Sequence, residues 1–310
     1  RVLDAPSILN LLSRWSASVD AKSLGPLTVS VLKGEHGAQR RELDKLIDAL
    51  AVIQPDLVHL PTLPFIGVAR KLKEAMGVPI FCTLSGEDIF LDELPEPHRA
   101  ESFRLIADQA RYIDAFVSTT RYYAHHCVGH FGLPAPRVHV VPMGIHVEDF
   151  QPAANTARDA RFTIGYLARI CPEKGLADLC EAFTLLRRDG RNCQLAIAGY
   201  LAASQQAFLD GLRDSLGQPA TQGHFEIVGE VSRQQKIEFL QSLDVFSVPS
   251  IYREAKGLYV LEAMACGVPV VEPRHGSFPE LIESTGGGLL YEPALGPRGL
   301  ADSLSRLMDH

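Results

Sequence analysis

Long apolar runs are missing from this chain. In 310 residues none approaches the roughly 20 consecutive apolar positions that a membrane-spanning helix needs. Cysteine is sparse: the six residues Cys82, Cys127, Cys171, Cys180, Cys193 and Cys266 lack metal-type spacing and sit mostly in apolar segments. That excludes a disulfide scaffold or a zinc module and predicts reduced core thiols, as in a cytoplasmic protein. Positive charge is in deficit, with 30 Lys and Arg against 37 Asp and Glu, so no basic face for nucleic acid is expected. No Gly-x-Gly-x-x-Gly follows an early strand, which argues against a dinucleotide-dependent dehydrogenase. No Asp-x-Asp stands in a suitable place for a divalent ion. His125 and His126 are adjacent on a predicted helix and point about 100° apart, a poor geometry for a metal. The expectation is therefore no metal and no cofactor. An initiator methionine is absent too: Arg1 opens the chain without a signal-peptide pattern, and His310 ends it at a predicted helix over 297–308. These ends predict a fragment of a longer protein.

What is present is a core-forming composition, 46% hydrophobic and 22% charged, and a length that suits two domains. Strand-like runs over 27–32, 56–60, 79–84, 115–118 and 138–141 alternate with helical patterns over 66–76, 100–112 and 121–131. Between the first two strands, Leu43, Leu46, Ile47, Leu50 and Ile53 have the spacing of one buried helical face. Residues 150–160 have no periodicity and read as a linker. A second series follows, with strands over 162–167, 194–198, 225–228, 245–248, 268–271 and 289–291. The pattern predicts two doubly wound, Rossmann-like α/β domains with parallel sheets, over 1–150 and 151–310. An amphipathic helix is predicted over 6–15, and the single tryptophan, Trp15, is assigned to a core.

The most informative stretch runs from Pro249 to Val271 and places Glu254 and Glu262 eight positions apart. Between them, Lys256-Gly257-Leu258 reads as a loop turning into a helix. A helix start offers unpaired N–H groups and the positive end of a dipole, so it favours phosphate. A carboxylate deeper in that helix would repel phosphate but can accept hydrogen bonds from ribose hydroxyls. One glutamate before the helix and one within it suit a ligand made of a sugar, a diphosphate and a ribose, that is, a sugar nucleotide.

This segment resembles the Glu-x7-Glu signature of the family-4 retaining glycosyltransferases (glycosyl transferases group 1), with its Pro-Ser loop, Leu-Glu-Ala-Met-Ala helix and Gly-x-Pro-Val-Val strand. A second string, Gly165 to Gly175, is similar to the family's Gly-Arg-x-x-x-x-Lys-Gly. The resemblance implies the GT-B fold, with the ligand in an interdomain cleft, and transfer of a sugar from a nucleotide-diphosphate donor to an acceptor hydroxyl with retention of configuration. It implies Glu254, Arg169 and Lys174 as catalytic residues: Glu254 against hydroxyls of the donor sugar, the two cations on the leaving diphosphate. A salt bridge from Glu254 to Arg253 or Lys256 is the structural alternative. Glu262, Gly257, Leu258, Lys256 and Tyr259 would bind the donor. The sequence departs from the family pattern after Glu254, where Ala-Lys-Gly-Leu-Tyr replaces Gly-Phe-Gly-Leu, and Lys256 adds a cation.

The resemblance is looser in the first half. Ser85 stands where many members carry histidine, and Ser85, Gly86, Glu87 and Asp88 are candidates for acceptor or sugar contacts. Val141-Pro142-Met143-Gly144 resembles the Pro-Asn-Gly segment before the linker, with Gly144 as a hinge that allows close backbone approach. His275 to Glu280 matches a Gly-x-Pro-Glu segment, where Glu280 is expected to favour the helix start. The Gly-Gly loop that opens the family's first domain has no counterpart before Leu27, so that domain is predicted to be truncated. The acceptor is unassigned among glycan, lipid and small molecule, and peripheral membrane contact stays open. The rival expectations are a catalytically weak or inactive GT-B nucleotide-sugar-binding protein and a nucleotide-sugar epimerase.

Overall fold

The computed structural model describes residues 23–153 and 161–309. The predicted helix over 6–15, Trp15 and linker residues 154–160 lie outside the described residues. The chain divides into two compact units, one reaching Met143 and the other starting at Gly144.

The first unit corrects the sequence expectation at its start. Residues 27–32 belong to helix α1 (Gly25–Leu32), not to a strand. Pro26 in the first turn pre-sets a helical φ, and Gly25, Thr28, Val29 and Leu32 are buried, a helical spacing that the β-branched composition masked. Helix α2 (Arg40–Ile53) buries only Leu43 of the expected stripe. Leu46 and Ile53 are exposed, at 42% and 68%, because only the start of the helix meets the rest of the described unit closely.

Four parallel strands follow: β1 (Val58–Leu60), β2 (Ile80–Leu84), β3 (Ala115–Ser118) and β4 (Val138–Val140), in the spatial order of the chain. Between β1 and β2, Leu63–Val68 winds as a 3-10 turn before α3 (Ala69–Met76), so the helix expected from 66 begins later. Helices α4 (Asp88–Asp92) and α5 (His98–Gln109) join β2 to β3. Helix α6 (Arg121–Phe131) joins β3 to β4, with the Thr120 hydroxyl capping its first turn by accepting from the Tyr123 amide at 3.2 Å.

The second unit carries six parallel strands: β5 (Phe162–Leu167), β6 (Cys193–Ala198), β7 (Phe225–Gly229), β8 (Val245–Phe246), β9 (Val270–Pro273) and β10 (Gly288–Tyr291). Helices α7 (Leu176–Arg188), α8 (Gln206–Leu216), α9 (Arg233–Gln241), α10 (Leu258–Ala265), α11 (Phe278–Thr285) and α12 (Gly296–Met308) connect and cover them. The spatial order is β10-β9-β8-β5-β6-β7. The chain therefore builds outward from β5 to β7, returns, and builds the other way from β8 to β10. The order reverses between β5 and β8, and loops at the carboxyl ends of strands beside such a switch point diverge and leave a crevice for a ligand. The core is aliphatic and aromatic, with Ile164, Tyr166, Phe183, Leu195, Phe246 and Phe278 buried. Phe150, assigned by sequence to the linker, is buried in this core instead. All six cysteines are buried with free thiols. No described helix is long and apolar enough to cross a membrane.

One glycine fixes how the two loops beside the switch point meet. Gly175 ends the turn after β5 at φ 70°, and a Cβ there would lie 1.8 Å from the Pro249 carbonyl oxygen after β8. Gly175→Ala combines a left-handed backbone with a clash and should cost about 1–3 kcal/mol or more. Urea denaturation of the variant against the wild type measures it.

Candidate functional site

The site grows from three loops at the carboxyl ends of β5, β8 and β9. After β5, Ile170 is anchored through its amide to the Tyr200 carbonyl at 2.8 Å. Pro172–Lys174 then forms a 3-10 turn. After β8, the amide of Ile251 donates to the Glu173 carbonyl at 2.9 Å, joining the second loop to the first. After β9, the amide of Ser277 donates to the Glu254 carbonyl at 2.8 Å. The Ile251–Glu173 bond brings together loops about eighty positions apart, and the Ser277–Glu254 bond adds the third.

Their product is a buried ion pair. Lys174 Nζ donates to Glu254 Oε2 at 2.7 Å, with the two side chains only 9% and 11% exposed. The hydroxyls of Tyr252 and Tyr259 donate to the same oxygen at 3.2 and 3.1 Å. The Lys174 ammonium also lies 4.8 Å from the Tyr252 ring centre and 5.0 Å from that of Tyr259. Burial works against the Glu254 charge. Lys174, the Lys256 amide and Tyr259 outweigh it and hold the carboxyl below its usual pKa. Oε2 is thus saturated, while Oε1 has only a long contact, 3.4 Å, from the Lys256 amide. The sequence alternatives for the partner of Glu254, Arg253 and Lys256 side chains, are not the pair observed.

Arg169 is exposed on the same loop and lies within electrostatic reach of Tyr252. Its backbone carbonyl is pinned by the Tyr166 hydroxyl at 2.8 Å, which fixes where the side chain leaves the loop. Gly257 caps α10 at φ 66°, and its missing Cβ would lie 2.7 Å from Leu281, so the helix start is held close to α11. Leu258 and Tyr259 open that helix, with Leu258 exposed and the Tyr259 ring turned in toward Lys174. The first amides of the helix have no intrahelical partner.

Glu262, one turn further, is buried and paired with Lys236 of α9 at 2.5 Å. The sequence reasoning missed Lys236. A capping box formed by Ser232 and Gln235 starts α9 and sets which side of the helix Lys236 occupies, and Ser-x-x-Gln was the available signal. Lys236 also lies 5.2 Å from the ring centre of Phe150, with Arg233 at 5.7 Å, so the start of the second unit is tied to the helix that holds Glu262.

In the first unit, Ser85 to Glu87 form the loop at the carboxyl end of β2, with Gly86 at φ 99°, and Asp88 opens α4. Glu87 points inward. Its oxygens accept from Thr62 Oγ1 at 2.7 Å, the Leu63 amide at 3.2 Å, and the Ser85 amide and hydroxyl at 2.7 and 3.0 Å. The Tyr123 hydroxyl stands 3.0 Å from Glu87 and 2.8 Å from Asp88. The observed partners of Glu87 are all internal, and they shape the loop that presents Ser85 and Gly86. Gly144 shows no close approach: a Cβ there would meet nothing within 4 Å. No group of three or more His, Cys, Asp or Glu among the described residues is placed to hold a metal ion.

Two parallel-sheet α/β units, the second with its site at the switch point, define the GT-B class. Solved structures bear out that fold. HepE from Anabaena, in complex with UDP and glucose, has a TM-score of 0.71 at 18% identity, over 88% of this chain and 74% of that one. Sucrose-phosphate synthase from Thermosynechococcus elongatus has a TM-score of 0.70 at 19% identity, over 88% and 70%. Residues 147–310 match the glycosyl transferases group 1 family and residues 24–149 match glycosyltransferase family 4. The chain belongs to the glycosyl transferases group 1 family. Among curated relatives, the amylovoran biosynthesis glycosyltransferase AmsK of Erwinia amylovora is 28% identical over 77% of this chain and 56% of its own length. A D-inositol 3-phosphate glycosyltransferase of Paenarthrobacter aurescens is 30% identical over 78% and 62%. The chain thus spans a little over half the length of such relatives.

The ion pair makes a stability prediction. Lys174→Met leaves the Glu254 charge buried without its cation and should cost about 3–5 kcal/mol, whereas Lys174→Met with Glu254→Gln should lose less than the two single variants summed. Chemical denaturation of the three variants checks the coupling.

Proposed function

We propose that this chain binds a nucleotide-diphosphate sugar and transfers the sugar to an acceptor hydroxyl with retained configuration. The observation that carries this reading is the one-sided saturation of Glu254. Three donors fix Oε2, and Oε1 is left to accept from a sugar hydroxyl next to the reacting carbon. Lys174, Arg169 and the start of α10 surround the place where a diphosphate would lie, so cations and helix amides would meet the charge that grows as the sugar–phosphate bond breaks. Glu262, with one oxygen held by Lys236, has the other for a ribose hydroxyl. The leaving phosphate would take the acceptor's proton on the face it departs from, because no nucleophile with a paired base stands at the site. HepE, in complex with UDP and glucose, supports the nucleotide-sugar class through shared fold. Two of the glycosyltransferases similar in sequence support the transferase class. The hinge would be the segment following Gly144.

Calorimetry with nucleoside diphosphates, followed by diphosphate release from a panel of sugar nucleotides, tests the proposal. Binding with release supports a transferase. Binding without release under any acceptor condition supports the inactive GT-B shell, and no binding overturns the donor site.

The roles separate kinetically. Glu262→Gln should raise the donor KM roughly tenfold or more with little change in kcat, because a ribose contact is equal in the ground and transition states. Arg169→Ala and Lys174→Ala should instead lower kcat by roughly 100- to 1,000-fold, and less than additively together. Steady-state kinetics, with circular dichroism to confirm folding, distinguishes the two patterns.

A further inference from the structure

Beneath the site lies a carboxyl group that none of these roles uses. Glu272 is on β9, between β8 and β10, and is wholly buried. Its Oε1 accepts from the Val248 amide at 3.0 Å, and its Oε2 has no hydrogen-bond partner. The reason lies in the ladder. Strand β8 is two residues long and pairs with β9 only at Phe246 and Val270. On its other side the chain still follows β5, the Ser247 amide donating to the Gly165 carbonyl at 2.9 Å. On the β9 side two side chains replace the main-chain ladder: the Ser247 hydroxyl donates to the Val271 carbonyl at 2.5 Å, and Glu272 takes the Val248 amide. From that point the chain turns through Pro249 and Ser250 toward Tyr252 and Glu254. The Ser250 hydroxyl then stands 3.3 Å from that of Tyr259.

We propose that Glu272 is a positioning residue of the donor site: its carboxyl replaces the main-chain partner that Val248 loses where β8 leaves β9, and so aims the loop that carries Tyr252 and Glu254. The donor role of that loop rests on the function proposed above, whereas its positioning by Glu272 does not. Glu272 works as the neutral acid. It is wholly buried with one neutral N–H partner, and burial pushes its pKa well above the usual carboxylate range, against the Val248 amide and Lys174, with Glu254 adding to the rise. The ionisable groups that face it are Lys174, Glu254, Tyr259 and Tyr291. Lys174 is already committed to Glu254. An ionised Glu272 would compete with Glu254 for it, so neutrality keeps the observed pair intact.

Two variants of the full chain test this. Glu272→Gln keeps a carbonyl for the Val248 amide, and Glu272→Leu keeps only the volume. Amide exchange over 248–256 reads the loop, and titration with nucleoside diphosphates reads the site. Glu272→Gln should retain loop protection and bind within about twofold of wild type, whereas Glu272→Leu should lose protection at Val248 and bind roughly 10- to 100-fold more weakly. Thermal unfolding supplies the titration. An acid with a raised folded pKa contributes stability that is complete below the unfolded value, about 4.3, and is lost as pH rises toward the folded value, so the melting temperature of Glu272→Gln should gain on wild type as pH rises above about 4. Glu272→Leu with unchanged loop exchange and affinity overturns the proposal. So does Glu272→Gln with loop exchange as fast as that of an unprotected loop, which decides the matter even if the leucine variant does not fold. A wild type that binds no nucleoside diphosphate overturns the donor site alone, and the exchange results still decide the positioning.

Discussion

The contact on which the second unit's site depends is the hydrogen-bonded pair of Lys174 and Glu254. Two charges taken out of water lose several kcal/mol of hydration each, and attraction between them recovers this only when the remaining polar valences are met. Here they are met by two tyrosine hydroxyls on one carboxylate oxygen and two tyrosine rings beside the ammonium. The surrounding backbone is arranged to make that geometry reachable. Gly175 lets the β5 loop pass against Pro249, and the Ile251 amide ties the β8 loop to Glu173. A side chain at 175 or a longer loop would separate the pair and strand both charges.

The same device appears twice at different depths. Lys174 holds one oxygen of Glu254 in near-complete burial, and Lys236 holds one oxygen of Glu262 while itself 24% exposed. Each lysine comes from an element distant in sequence from its glutamate, so the charge partner of each carboxylate is supplied by the fold, while Tyr252, Tyr259 and the Lys256 amide hold Glu254 locally. The difference in exposure matters. The two carboxylates are buried alike, at 11% and 9% exposure, so the difference lies in the cations: Lys174 is screened least, while Lys236 keeps part of its contact with solvent. Because Lys236 also lies against Phe150, the orientation of Glu262 is mechanically linked to the chain entering the second unit.

Elements buried on both faces were the easiest to read from sequence. The strands of the second sheet are continuous apolar runs, and most were placed within two residues, because a parallel strand covered by helices has no polar face to confuse the pattern. Errors fell where local pattern and packing disagree. Residues 27–32 look like a strand by composition, yet packing against α5 and the Leu63–Val68 turn makes them helical. The stripe on α2 is periodic, but only Leu43 of it is fully buried, and Leu46 and Ile53 are exposed. Phe150 has no periodic neighbours to announce it, and only packing into the second unit's core, with two cations of α9 beside its ring, gives its place.

The sequence by itself determined the family and the two α/β units and named candidate site residues, because the Glu-x7-Glu and Arg-x4-Lys-Gly strings are local and their helix starts are encoded by nearby glycines. It did not determine who pairs with whom. Glu254 had two lysine or arginine neighbours in sequence and took neither; its partner is Lys174, eighty positions away, because β5 and β8 are adjacent in the sheet. Lys236 follows a local Ser-x-x-Gln capping signal that says nothing of its partner, and Glu272 carries no motif. The pairing of Lys236 and the role of Glu272 where β8 and β9 part exist only once the strands are in register. Hydrogen bonds and ion pairs act over a few ångströms, and strand order, not sequence distance, decides which groups come that close.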